Sequence, residues 1–506
     1  MLHCSANIQK NYNFLGNKMI FSSPEFIFIF LPVTFLIYFS LNKARKHKLA
    51  KISLVLASLY FYSYWSLEYL PLMVGSIIFN YSVGVLISSK TGRAKKFFLS
   101  VGVISNLAIL GYYKYANFFL DNINALSGSD FHTMSIILPI GISFYTFTQI
   151  AFLVDNYKGY VKEFDIINYT LFVTFFPHLI AGPILHHKEM MSQFKSKWTY
   201  AIRYRHIIMG VMIFGVGLFK KTIIADTFAI SANIGFAPGF EHNFISAWVA
   251  SLSYTFQLYF DFSGYCDMAV GAALLFNIWL PINFNSPYKA LDIQDFWRRW
   301  HITLGRYLRD YLYIPLGGNR CPTFRVYINL FITFVLGGLW HGASWMFIIW
   351  GALHGLALAI HRAWKTLGMS MPNPLAWIVT FLYVNTAWVF FRASSIQDAI
   401  NILKAMIDID SISSVPINDI PIKNLSALGV LADNMADFVP LGVAAYVTQM
   451  MAILFGFFII SRKNSIEMFT SSRLGYHTVM KTAFVTVLGL YMTLHTTSAV
   501  FLYFNF

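Results

Sequence analysis

The residues most able to do chemistry lie in three short stretches. In Leu336-Gly-Gly-Leu-Trp340-His341-Gly-Ala343 a lone imidazole ends an apolar run, flanked by glycines that allow backbone or substrate to approach closely. Histidine is the side chain whose ordinary pKa suits proton transfer near neutral pH, so His341 is a candidate general base for a hydroxyl or thiol. On the residues alone a packed structural histidine is the favoured reading, because single histidines are common. His354 and His361 follow seven residues apart on the next apolar run, two turns along one helix face. A metal held by His341, His354 and His361 is conceivable, but a closely spaced ligand pair such as HExxH is missing.

The second stretch runs Asp295-Phe-Trp297-Arg298-Arg299-Trp-His301 and continues to Gly317-Gly318-Asn319-Arg320. Helical spacing puts Trp297 and His301 on one face, and Asp295 and Arg298 likewise. The arginines beside tryptophans read as an interfacial amphipathic helix, and equally as a cationic surface for the phosphates of a donor. Gly317-Gly318-Asn319 after Pro315 reads as a turn. The third stretch, Gln257 to Asp267, sets Asp261, Ser263 and Asp267 in apolar surroundings. Ionisable residues at membrane depth are costly, so the stretch implies an unwound or polar-lined element facing a cavity. Structural pairing of both aspartates with nearby arginines, or helix capping, is the favoured account. Lys220-Lys221, with Asp226 five or six residues on, can snorkel or pair.

These residues must be positioned by membrane helices. Of 506 residues, 57% are hydrophobic and 12% charged, about half the charged share of an ordinary soluble domain. Fifty Phe, 29 Tyr and 12 Trp suit lipid-facing and headgroup surfaces. The sequence predicts an all-α polytopic bundle of about 11–13 spans. Candidate stretches are 24–41, 52–66, 69–88, 97–119, 134–154, 206–232, 246–280 (long enough for two), 326–340, 344–361, 375–391, 441–461 and 480–504. The stretch 170–185, broken by Phe176-Pro177-His178 and Ala181-Gly182-Pro183, is either re-entrant or an ordinary kinked span. A helical hairpin should turn near Leu339–Ser344.

The net charge of +15 sits in clusters between apolar runs, such as Lys43-to-Lys51 and Lys90-to-Lys96. That is the pattern of cytoplasmic loops rather than of a nucleic-acid-binding face. Residues 281–325 are basic and should be cytoplasmic, whereas 393–440 is acidic and should be external. Lys158 and Lys162 form a weaker basic flank before 170–185. Cys4, Cys266 and Cys321 share no spacing that would suggest a disulfide framework or zinc site. Residues 1–18 are polar, unlike a cleavable signal peptide; Met19 reads as the true start, with a short disordered tail as the alternative. The expected organisation is an extension 1–18, a membrane core 19–392, an external loop 393–440 and C-terminal helices 441–506.

Five ordered motifs carry a family resemblance: FPHLIAGPIL at 176–185, QLYFDFSGYCDMA at 257–269, FWRRWHITL at 296–304, LRDYLYIPLGGNR at 308–320 and LGGLWHGA at 336–343. Together they resemble the bacterial membrane-bound O-acyltransferases, and most of all the alginate O-acetylase branch. MIFSSPEFIFIFLP at 19–32 is similar as well. The resemblance is strong over 19–392 and weaker beyond. Gly305-Arg306 departs from the pattern after WHITL. The resemblance implies that His341 is catalytic and that His301 is the family's second histidine. It further implies no bound cofactor, a cytoplasmic acyl thioester donor such as acetyl-CoA, and partner acetyltransferases in the periplasm. The expected setting is the lipid bilayer of a bacterial inner membrane, and the expected acceptor is alginate or a similar exopolysaccharide. Trp297, Arg298, Arg299, Asp261, Ser263, Asp267, Trp340 and Asn319 are candidates to line the donor path or channel. Peptidoglycan acetylation and teichoic acid D-alanylation are the related alternatives. A polysaccharide transporter or an assembly scaffold would be a different class of protein.

Overall fold

Hydrocarbon offers no partner to a peptide group, so a chain of this composition must close its backbone hydrogen bonds within helices. The structure, a computed structural model, describes residues 19–161, 164–414, 441–470, 475–495 and 501–502. The proposed extension 1–18, Lys162 and most of the acidic loop lie outside these residues. Among those described, helix is the only regular element. Seven helices are long and apolar enough to cross a membrane: Glu25–Lys43, Leu67–Ser89, Gly92–Ser127, Tyr204–Gly235, Thr323–His341, Trp345–Thr366 and Asn373–Arg392. The chain is a multi-pass membrane protein.

Several expected stretches form differently. Residues 246–280 make one 32-residue helix, Phe244–Leu275, and not two. That helix is continuous through Asp261, Ser263 and Asp267, so the unwound alternative is overturned. In 134–154 only Ile142 onward is helical, because Pro139-Ile-Gly141 breaks the first half. Gly141 has φ +70°, and a Cβ there would lie 3.1 Å from the Leu179 carbonyl oxygen. The stretch 170–185 is no kinked span. Its helix ends after nine residues at Thr174, a four-residue turn Phe176–Leu179 follows, and the chain then runs without helix to His187. Nine residues rise about 14 Å, half of the hydrocarbon thickness.

The chain divides into two compact units. The first takes in the chain up to Tyr113, Ile136–Ile208 and Ala272–Trp279. Its core is aromatic: Phe26, Phe30, Phe61 and Phe176 pack with ring centroids 5.1–6.1 Å apart. Leu171–Leu185 is buried throughout, as irregular backbone in a membrane protein must be. Where the helix breaks, the Phe176 N–H donates to Ser58 Oγ at 3.1 Å. Asn80 and Asn106 bond reciprocally through their amides at 3.2 and 2.6 Å.

The second unit takes in Lys114–Ser135, Met209–Gly271 and the chain from Leu280. Here Tyr204–Gly235 meets Phe244–Leu275 through glycines. A Cβ on Gly217 would lie 2.6 Å from the Gly264 carbonyl oxygen, and one on Gly271 would lie 2.6 Å from that of Gly210. This close approach carries two buried ion pairs. A π-helical turn, Lys220–Ala225, lets both adjacent lysines reach carboxylates. Lys220 Nζ lies 2.7 Å from Asp267, whose carboxylate also accepts from Ser465 Oγ at 2.5 Å. Lys221 Nζ lies 2.8 Å from Asp261 and 2.9 Å from Asp226. Asp261 accepts further from the Leu502 N–H at 2.8 Å. The aspartates are paired, as expected, but their partners are these lysines and not arginines.

Removing one member of a buried pair leaves an uncompensated charge, at a cost of about 3–5 kcal/mol. Asp261→Ala should therefore lower the melting temperature of the detergent-solubilised protein well beyond any effect of Asp130→Ala on the exposed loop. Equal melting of the two variants would remove the ion pair from the account of stability.

Candidate active site

His341 is the last residue of Thr323–His341, and the expected hairpin turn occupies Gly342–Ser344 before Trp345–Thr366. The two helices meet along glycines. A Cβ on Gly338 would lie 2.2 Å from the Phe347 carbonyl oxygen, and one on Gly351 would lie 2.3 Å from that of Phe334. The glycines around His341 thus serve backbone approach between the hairpin's own helices. Ser344 caps the second helix by accepting from the Met346 N–H.

A helix end leaves its last carbonyls without partners in the helix. Here protein groups supply them. Lys114 Nζ donates to the carbonyls of Trp340 at 2.6 Å and His341 at 3.1 Å, and the Tyr115 hydroxyl donates to that of Leu339 at 2.9 Å. The imidazole itself is 4% exposed, with Trp350 and Phe391 edge-on at 5.2 Å and Trp340 at 4.9 Å.

His301 arrives from a separate element. The helix Ile293–Arg299 ends at Trp300, and a second helix, Ile302–Leu308, begins immediately after His301. His301 itself has φ +44°, a left-handed conformation that costs about 1–3 kcal/mol for a residue with a Cβ. The expectation that Trp297 and His301 share a helix face is therefore wrong, because the chain turns between them. Asp295 and Arg298 do lie on one helix, and the Asp295 carboxylate pairs with Arg299 at 2.9 Å, four residues on. His301 is fully buried, and burial pushes its imidazole down to about 3, so it is neutral at pH 7. Its Nδ1 lies 3.0 Å from Asn283 Oδ1, and Phe262 meets the ring edge-on at 4.8 Å. The turn brings the rings of His301 and His341 to 6.5 Å between centroids.

The other candidates divide. Trp340 borders both histidines, its ring 6.2 Å from His301 and 4.9 Å from His341. Trp297 donates its indole N–H to His354 Nδ1 at 3.2 Å and packs on Trp350. The Trp350 ring stands between His341 and His354, and His361 faces Asp292 at 3.6 Å, so the three histidines are not gathered as a metal site. Ser263 and Asp267 line a small cavity with Lys220, Cys266, Asn283 and Ser465. Asp261 is held in its ion pairs. Arg298 is exposed, and Arg299 is occupied by Asp295 and the Asn285 carbonyl. Asn319 accepts from the Tyr313 hydroxyl at the surface, before the opposite end of a 19-residue helix. That helix is about 28 Å long, so Asn319 is remote from His341.

Three contributors escaped the sequence reading. Lys114 was legible in principle, as a lone lysine inside the apolar run 97–119. Tyr115 and Asn283 gave no signal, since neither spacing nor composition marks them.

The model of the MBOAT, membrane-bound O-acyltransferase family, matches residues 155–397. The chain is 46% identical to the peptidoglycan O-acetyltransferase of Helicobacter pylori, over 96% of this chain and 98% of that protein. It is 45% identical to the probable alginate O-acetylase of Pseudomonas aeruginosa, over 77% of this chain and 75% of the relative. A teichoic acid D-alanyltransferase of Streptococcus thermophilus is 30% identical over 46% of this chain and 59% of its own. A relative at this identity over nearly the whole of both chains, together with the family model, makes the chain a membrane acyltransferase belonging to the membrane-bound O-acyltransferase family.

Proposed function

We propose that the protein transfers acetyl groups from a cytoplasmic thioester, such as acetyl-CoA, toward an exported glycan, with His341 as general base. The observation that carries this reading is the pairing of His341 with His301, both buried and 6.5 Å apart, in a membrane acyltransferase. In the reaction His341 takes the proton of an acceptor hydroxyl as its oxygen attacks the thioester carbon. The C–S bond then breaks, the thiolate leaves with that proton, and an ester remains. The base contributes a factor on the order of 10²–10⁴. The protein works in the bacterial inner membrane, and periplasmic acetyltransferase partners complete delivery.

Peptidoglycan is the favoured acceptor. The peptidoglycan-acetylating relative aligns over nearly the whole chain, whereas the alginate relatives stop at about three quarters. An alginate-like polymer is the second reading, supported by several relatives of that name at 39–45% identity.

Deleting the gene in the source organism should abolish alkali-labile acetate in purified cell-wall sacculi, and wild-type protein should restore it. His341→Ala should fail to restore it while accumulating in the membrane. Undiminished acetate with His341→Ala would end its role as base. Loss of acetate from secreted polysaccharide, with sacculi unchanged, would replace peptidoglycan by the second reading.

The helix-end cap gives a further expectation. Lys114→Met leaves the Trp340 and His341 carbonyls without their donor and lets the end of the helix shift. Misplacement by an ångström can cost about 10²-fold in rate. The variant should lose acetylation to that degree, and Lys114→Arg should keep most of it. Wild-type acetylation in Lys114→Met would show that the cap does not position His341.

A further inference from the structure

We propose that Asn283 is a positioning residue that sets the tautomer of His301, holding the ring proton on Nδ1 and leaving the lone pair on Nε2. The inference rests on the acyl-transfer reading only for its consequence, and its physical basis is independent of it.

The backbone N–H of Thr303 can only donate, and it points at the Asn283 side-chain amide at 3.2 Å. The amide atom facing it must therefore be the oxygen. The reverse orientation would set an NH₂ against an N–H, two donors in a buried site. The far end of the same amide agrees, because Nδ2 lies 3.4 Å from the sulfur of Cys266, which can accept. Oδ1 also receives the Thr303 hydroxyl at 2.9 Å. His301 Nδ1 lies 3.0 Å from this same oxygen. An amide oxygen has only lone pairs to offer, so the ring nitrogen facing it must carry the hydrogen. In a neutral imidazole the lone pair is then on Nε2.

Asn283 also acts through its backbone. Its carbonyl accepts the Ile302 N–H at 3.0 Å, in the turn where His301 has φ +44°. One residue thus holds both the unusual backbone and the ring attached to it. Burial keeps the imidazole neutral, so it exists as one tautomer or the other, and not as the doubly protonated ion. With Nδ1 committed, His301 presents Nε2 only as an acceptor. This is the arrangement by which a third group orients a base in nucleophilic and acyl-transfer sites. It suits His301 to accept a hydrogen bond from a hydroxyl beside His341.

A purely structural Asn283 would hold the turn without fixing the tautomer, and ¹⁵N NMR separates the two. The full-length protein, ¹⁵N-labelled at histidine in lipid nanodiscs near pH 7, would be compared with His301→Gln to identify the His301 signals. The expected pattern is a protonated, pyrrole-like Nδ1 and an unprotonated, pyridine-like Nε2. Asn283→Leu should shift the pattern toward Nε2–H or toward averaging of both forms, and Asn283→Asp, which keeps the acceptor, should preserve it. With acetyl-CoA as probe donor, Asn283→Leu should lower kcat by about 10²-fold with little change in KM, and Asn283→Asp should recover most of the loss. A wild-type proton on Nε2 overturns the proposal, as does an Asn283→Leu spectrum that matches the wild type. The wild-type spectrum decides even where a variant fails to accumulate. If it shows the expected tautomer while His341→Ala leaves acetyl transfer intact, the tautomer stands and the acyl-transfer reading fails.

Discussion

Every polar group this protein carries into the bilayer must find its partner within the protein, because hydrocarbon supplies none. That constraint explains features that would otherwise look unrelated. Lys220 and Lys221 lie beside Asp267 and Asp261 because neither sign of charge could be buried alone. Asn80 and Asn106 exchange amide hydrogen bonds, and Asn385 joins Thr255 and Ser251, for the same reason on a neutral scale. Where a helix breaks at Phe175, a serine from another helix receives the freed N–H. Where a helix ends at His341, a lysine and a tyrosine take up its carbonyls.

The candidate site is a case of the same rule. An imidazole in a buried position is tolerable when neutral, and both His301 and His341 are deeply buried. Their proximity depends on two devices of the backbone. Glycines let the hairpin helices touch through backbone atoms, which holds the turn after His341 against its own second helix. The left-handed residue at His301 swings its ring out of the helix that precedes it. The aromatic groups around the pair, chiefly Trp340, Trp350 and Phe391, pack at edge-on distances and keep the rings oriented. A stiff, apolar surround strengthens any electrostatic contact made inside it.

Much of this was legible beforehand, though unevenly. The hairpin and its turn, the helices Asn373–Arg392 and Leu441–Ser461, and the pairing of Asp261 and Asp267 followed from apolar run length and from the cost of a buried charge. Helical spacing failed at Trp297–His301, since periodicity assumes a helix that continues and no residue there marks its end. Apolar run length overreached over 134–141, where such composition suits a membrane whether or not the backbone is helical, while at 170–185 the proline and glycine breaks left two readings of which the kinked span falls. The stretch 246–280, long enough for two helices, forms the single helix Phe244–Leu275, since run length alone does not say whether a chain turns back within it.

The sequence by itself determined the solvent, the helical class, the family resemblance and the two histidines, because each follows from residue type, run length or motif along the chain. Only the tertiary structure decided that the histidines meet, that Asn283 and Lys114 serve them, and that Asn319 does not. These are contacts between residues as many as 227 positions apart. They depend on how helices cross and where the backbone turns, and a one-dimensional pattern carries no term for either.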